Sequence, residues 1–192
     1  MKIVLASASS RRRQLLSRLI ENFQVVASDF DEDSVVFQGR CESYVMELAE
    51  GKAKDVCRKL TDESSIVIGC DTAVFLRGKV MGKPRDIQEA FHMLKALSGN
   101  EHDVYSGIAI IDKALHKTVK SFVRTTVKFS EIDERCIRNY LKKEEYKDKA
   151  GAYGIQGYGG VFVKEIHGCY YNVVGLPLNK LYNMLSGMGV NL

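Results

Sequence analysis

The sequence has no C-x-x-C pair, and its five cysteines (Cys41, Cys57, Cys70, Cys136, Cys169) are odd in number and widely scattered. That spacing argues against a disulfide framework, and the thiols read as small apolar groups in a reducing compartment. The four histidines are equally dispersed, so the usual zinc spacings are missing. No run of five or more basic residues occurs, and a net charge of +4 is mild. Such a balance suits an anionic small molecule at least as well as nucleic acid, which is not an expected partner. No stretch approaches the ~20 apolar residues of a membrane span, and the apolar opening Met1–Ala6 is too short for a signal peptide. A cytoplasmic protein with no membrane partner is expected. The phosphate-loop pattern G-x-x-x-x-G-K-[ST] is also missing, and Gly157-Tyr158-Gly159-Gly160 is not a dinucleotide fingerprint.

What is present suits one domain over residues 1–192, with 45% apolar and 27% charged residues and no repeat or linker. Ile3–Ala6 reads as a buried strand, followed by a helix with Leu15, Leu16, Leu19 and Ile20 on one face. Phe23–Ser28 reads as a second strand that ends in the acidic cluster Asp29–Asp33. Tyr44–Leu60 has a helical stripe of Val45, Leu48, Ala49, Ala53, Val56 and Leu60. Ser65–Gly69 is a buried strand that delivers Asp71 and Thr72 at its end. Asp86 caps a helix running to Gly99, and two strand-like segments, Asp103–Asp112 and Thr118–Phe129, follow. Ser130 and Asp133 open another helix, Val161–Ile166 and Tyr170–Val174 read as a hairpin about His167-Gly168, and Pro177 begins the last helix. The expected fold class is α/β, a mixed sheet flanked by helices.

The informative residues are those that are costly where they sit. Arg11 and Arg12 occupy the first turn of a helix, where cations oppose the helix dipole by ~0.3–1 kcal/mol each. An anion at that helix start, held by amides, the Ser7 and Ser9 hydroxyls and two guanidinium groups, would account for them; pairing of both arginines with surface acids is the plainer account. Lys52 falls on the apolar stripe of its helix, so it either snorkels outward or has an anionic partner. On that footing, replacing it by alanine should leave the fold as stable or more so. Lys83, in Gly82-Lys83-Pro84, is held extended by the proline. Asp71, after one strand, and Glu32, in the acidic cluster after another, could share Mg²⁺, which prefers hard oxygen ligands; a solvated loop is the plainer account of the cluster without Asp71. The glycines of Asp148–Gln156 would let a flat ligand approach the backbone.

Leu5-Ala6-Ser7-Ala8-Ser9-Ser10-Arg11-Arg12 resembles the opening L-A-S-x-S-P-R-R of the Maf proteins, nucleoside triphosphate pyrophosphatases first named for septum formation. Gly69-Cys70-Asp71-Thr72, Gly82-Lys83-Pro84, Asp148–Gln156 and Val174-Gly175-Leu176-Pro177 resemble the family's later motifs, in order and over essentially the whole chain. The resemblance implies a two-lobed, inosine-triphosphatase-like fold, a homodimer, and hydrolysis of NTP to NMP and pyrophosphate with Mg²⁺ or Mn²⁺. It implies that Asp71 is the catalytic base and Glu32 an acidic metal-site residue, and the sequence is compatible with Asp71 as base, direct metal ligand or both. Arg11, Arg12, Lys52 and Lys83 match phosphate-binding positions, and Arg11, Thr72 and Gln156 match positions of substrate choice. The Gly-Ile-Gln form resembles the branch acting on dTTP and UTP, with CTP and modified pyrimidine nucleotides as further candidates. A role in nucleotide-pool cleansing and cell-division arrest would follow. Ser10 and Gln14 depart from the motif's proline and glutamate. The rival from another class is a non-enzymatic regulator of septum formation that binds nucleic acid or protein. It leaves unexplained why acids should sit among the cations.

Overall fold

The structure, a computed structural model, describes residues 2–191. Its strands are β1 (Lys2–Ala6), β2 (Gln24–Val25), β3 (Ser65–Leu76), β4 (Lys79–Met81), β5 (Glu101–Asp112), β6 (Lys117–Phe129) and β7 (Val163–His167). Its helices are α1 (Ser10–Leu16), α2 (Cys41–Lys59), α3 (Ile87–Leu97), α4 (Glu134–Leu141), α5 (Tyr170–Val174) and α6 (Leu178–Ser186). The strands form one sheet in the order β2-β1-β3-β5-β6-β7, with β4 paired to β3. The sheet is mixed: β1 runs parallel to β2 and β3, whereas β4 runs antiparallel to β3 and β7 to β6. The expected α/β class holds.

By packing the chain divides into two compact units, one of Met1–Thr72, Ser106–Val123 and Gly175–Leu192, the other of Ala73–Tyr105 and Arg124–Val174. Strands β3, β5 and β6 each contribute residues to both. The first unit has a core of small residues where α2 lies on the sheet: Val4, Ala6, Ala49, Ala53, Val56, Val67, Ala109 and Ile111. Two glycines set how close α2 comes. A Cβ on Gly69 would meet the Ala49 carbonyl oxygen at 2.1 Å, and one on Gly107 would meet that of Val45 at 2.1 Å. Any side chain at either position would lift the helix off the strands. The second unit packs rings instead, with Phe129 in edge contact with His102 and Tyr153, and Phe162 against Tyr140.

Three local readings need correction. The strand expected to stop at Gly69 continues unbroken to Leu76, so Asp71 and Thr72 lie inside β3 rather than after it. Of Phe23–Ser28 only Gln24–Val25 pairs as a strand. Tyr170–Val174 is helical, not the second arm of a hairpin. Its aromatic and β-branched residues favour a strand, but Asn172 is fully buried and donates to the Val104 carbonyl and the Thr125 hydroxyl, both at 2.9 Å. Those bonds fix the short turn of helix.

Candidate functional site

Because successive strand residues face opposite sides of a sheet, β3 divides its two adjacent polar residues. Gly69 and Asp71 face α2, and Cys70 and Thr72 face the other way.

On the α2 side the close approach through Gly69 and Gly107 brings Lys52 onto Asp71. Lys52 is 9% exposed and Asp71 7%. The Lys52 ammonium donates to Asp71 Oδ1 at 2.6 Å, and Glu32 Oε1 lies 3.0 Å from the same nitrogen. Glu32 begins a 3-10 turn, Glu32–Ser34, in which the Asp31 carboxylate accepts from the Asp33 amide at 3.1 Å. The lysine on the apolar stripe therefore does have an anionic partner; it has two. Removing a partnered buried charge strands the acids, so the expectation that Lys52→Ala would leave the fold as stable or more so is withdrawn. Tyr44 of α2 lies beside this cluster. Burial first, then the charges of Asp71, Glu32 and Asp33, push its phenol above the ordinary range. It stays neutral.

The donor set fits a hard divalent cation. Both carboxylates are already gathered within 3.0 Å of one positive point, and two acids against one ammonium leave a negative charge in excess. Among the described residues no group of three His, Cys, Asp or Glu side chains forms a ready metal cage. One or two carboxylates completed by substrate phosphate oxygens is the usual arrangement for Mg²⁺.

On the opposite side of β3 the polar groups are joined by hydrogen bonds. Ser9 caps α1 by accepting from the Arg12 amide at 3.4 Å, and no acidic residue lies in that first turn. Arg12 turns back onto its own chain. Its Nε donates to the Gly175 carbonyl at 2.9 Å, one terminal nitrogen to Thr72 Oγ1 at 3.1 Å, and the other to Ser7 Oγ at 3.4 Å. Ser7, itself buried, also accepts from the Ser9 amide at 3.2 Å. The Cys70 thiol donates to the same Gly175 carbonyl at 3.4 Å, and burial raises its pKa above the usual thiol range. Arg11 sits half-buried in the first turn of α1. The Arg12 head is thus oriented by the protein itself.

Eight of the ten residues singled out from sequence (Ser7, Ser9, Arg11, Arg12, Glu32, Lys52, Asp71 and Thr72) belong to the first unit. Lys83 and Gln156 belong to the second and are exposed there. Within that unit their two motifs touch, since the Gly151 amide donates to the Gly82 carbonyl at 3.1 Å. Gly151 has φ of 68°, a conformation that glycine adopts without strain. Sequence reasoning missed Tyr44, Ser106 and the carbonyl of Gly175. Period-two alternation along β3 was the available signal that Asp71 and Thr72 serve different neighbours.

Comparison with known proteins bears on what this arrangement does. A family model described as Maf-like protein matches residues 2–188. A dTTP/UTP pyrophosphatase of Clostridium kluyveri is 96% identical over 192 residues, covering 100% of both chains. Relatives of the same name from Clostridium botulinum (58% over 191 residues, 99% of this chain and 98% of that one) and Clostridium tetani (55% over 192 residues, 100% of each) also match. Among solved structures, the Ham1 protein of Staphylococcus aureus is similar with a TM-score of 0.53 at 15% identity, covering 98% of this chain and 100% of that one. That last likeness is one of fold.

Proposed function

Because the chain belongs to the Maf-like protein family, we propose that it is a nucleoside triphosphate pyrophosphatase, cleaving NTP to NMP and pyrophosphate with dTTP and UTP as its preferred substrates. The observation that carries this reading is the full-length, 96% identical relative that bears the name dTTP/UTP pyrophosphatase. The buried Asp71 and the half-buried Glu32, both beside one lysine, support the chemistry. The regulator that binds nucleic acid or protein without turnover is not favoured by these relatives. CTP and modified pyrimidine nucleotides remain further candidates, because a glutamine amide can be turned to suit cytosine as well as uracil. A place in nucleotide-pool cleansing, with arrest of division as its consequence, belongs to the same reading.

Asp71 is the proposed general base. It takes a proton from a water whose oxygen forms a bond to the α-phosphorus, while the bond to the bridging oxygen breaks and pyrophosphate leaves. Arg11, Arg12, Lys52 and Lys83 are the proposed phosphate contacts, with the Ser7 and Ser9 hydroxyls at the start of α1, because phosphoryl chemistry is mostly positioning and charge stabilisation. Thr72 and Gln156 are the proposed determinants of base choice, together with Arg11. Asp71 and Glu32 would hold Mg²⁺ or Mn²⁺, which supplies charge neutralisation when bound. Residues 1–192 are proposed to act as one domain, in a cytoplasmic homodimer. No described helix is long and apolar enough to cross a membrane.

A panel of canonical and modified NTPs with Mg²⁺ or Mn²⁺ tests the reading through the products. Pyrophosphate with NMP, fastest for dTTP and UTP, is expected. Orthophosphate with NDP removes the proposed reaction, and absence of turnover on every nucleotide returns the regulator to favour.

A further inference from the structure

Ser106 lies on β5 and is fully buried. Its hydroxyl oxygen is 2.7 Å from Thr72 Oγ1, the shortest contact that the threonine hydroxyl makes. Thr72 carries one hydroxyl proton. Its oxygen already accepts from Arg12 at 3.1 Å, so the proton goes either to Ser106 or to the Gly175 carbonyl 3.4 Å away. If Thr72 donates to Ser106, the bond is made directly. If Ser106 donates instead, Thr72 is driven to donate to Gly175, the carbonyl that also accepts from Arg12 Nε. Both arrangements lock the threonine in one rotamer and leave its lone pair aimed at the guanidinium. Without Ser106, the Thr72 hydroxyl keeps only its longer bonds to Arg12 and Gly175 among the described residues, and Arg12 loses a fixed acceptor.

We propose that Ser106 is a positioning residue for nucleotide binding, which acts through the Thr72 hydroxyl to hold the Arg12 head in place. This rests on the pyrophosphatase reading only in naming the nucleotide. The Lys52–Asp71–Glu32 cluster lies on the other face of β3, so this bond does not touch the proposed base. Loss of the serine oxygen weakens affinity rather than turnover.

The test uses Ser106→Ala and Ser106→Cys in the full chain. Cysteine nearly preserves the volume but is a weak hydrogen-bonding partner, so it controls for a cavity. Ser106→Ala is expected to raise KM for UTP roughly 5–10-fold, the scale of one net hydrogen bond to a partly desolvated partner, with kcat within twofold of the parent. Ser106→Cys should fall between the two while unfolding at the parental midpoint. Combining Ser106→Ala with Thr72→Val should add little to Thr72→Val alone, because both remove one link. Binding of a non-hydrolysable UTP analogue with Mg²⁺, followed by calorimetry, gives the same ranking without turnover, so it stands even if the proposed reaction fails. Parental affinity in a folded Ser106→Cys and Ser106→Ala overturns the proposal. So does a loss confined to kcat, or full additivity with Thr72→Val.

Discussion

The two units treat buried polarity in opposite ways. In the first, a core of alanine, valine and two glycines lets α2 settle directly on β3 and β5, and a lysine and an aspartate are buried as a charged pair. In the second, a core of rings encloses His102, whose Nε2 bonds to the Tyr153 hydroxyl at 2.8 Å and which burial holds neutral, with its pKa pushed down to about 4. Burying charge costs several kcal/mol that packing does not return, so nature retains it where the charge is used. A neutral histidine among rings is what a core chosen for stability tolerates. The proposed base, Asp71, belongs to the unit that buries the charged pair.

The largest effect expected from breaking that contrast comes from Asp71→Asn. Asparagine keeps the shape and one acceptor oxygen but cannot take a proton, so kcat for UTP should fall by about 10²–10⁴-fold. Nucleotide affinity should fall far less, as measured by calorimetry on the same folded variant. Lys52→Met comes next. It leaves Asp71 and Glu32 facing each other without their shared cation, and unfolding in urea should show a loss of about 3–5 kcal/mol. Mn²⁺ should recover part of that loss without nucleotide and bind more tightly than to the parent. A variant as stable as the parent would mean that Lys52 is not the partner that holds the acids.

The second unit offers a matching test by pH. His102 is about 4 when folded and 6.5 in the unfolded chain, so its neutral burial stabilises fully above 6.5. Between those values the unfolded chain binds the extra proton, and stability is lost as pH falls, by up to about 3 kcal/mol near pH 4. His102→Gln, which cannot titrate there, should flatten that part of the stability profile measured by urea midpoints. Gly107→Ala carries the smallest expected loss of stability, about 1–3 kcal/mol, because its Cβ must displace the Val45 carbonyl. Activity should drop more than that loss implies, since shifting α2 separates Lys52 from Asp71. Equal stability and full activity would show that the glycine does not set the helix position.

How far these features could be read from sequence follows from the range of the forces involved. The misfit of Lys52 was legible because helical periodicity is local, and it left two outcomes, snorkelling or an anionic partner, of which the structure shows the second. Which anion was not legible, because Asp71 and Glu32 reach it through tertiary packing set by Gly69 and Gly107. Asp71 was found but placed at a strand's end. The run Ser65–Leu76 contains Gly69 and Asp71, residues that depress strand character, and pairing within the sheet overrode it. Ser106 looked like any strand serine, since only the fold reveals that it faces Thr72. Tyr170–Val174 was misread because four residues with strand preference were overruled by the buried contacts of the fifth, Asn172.

Oxygen labelling during turnover tests the central claim most directly. UTP is hydrolysed by the parent protein in H₂¹⁸O, and the products are weighed by mass spectrometry. Attack of a water prepared by Asp71 on the α-phosphorus puts one ¹⁸O in UMP and none in pyrophosphate. Label in the pyrophosphate, or release of labelled orthophosphate beside UDP, would contradict it.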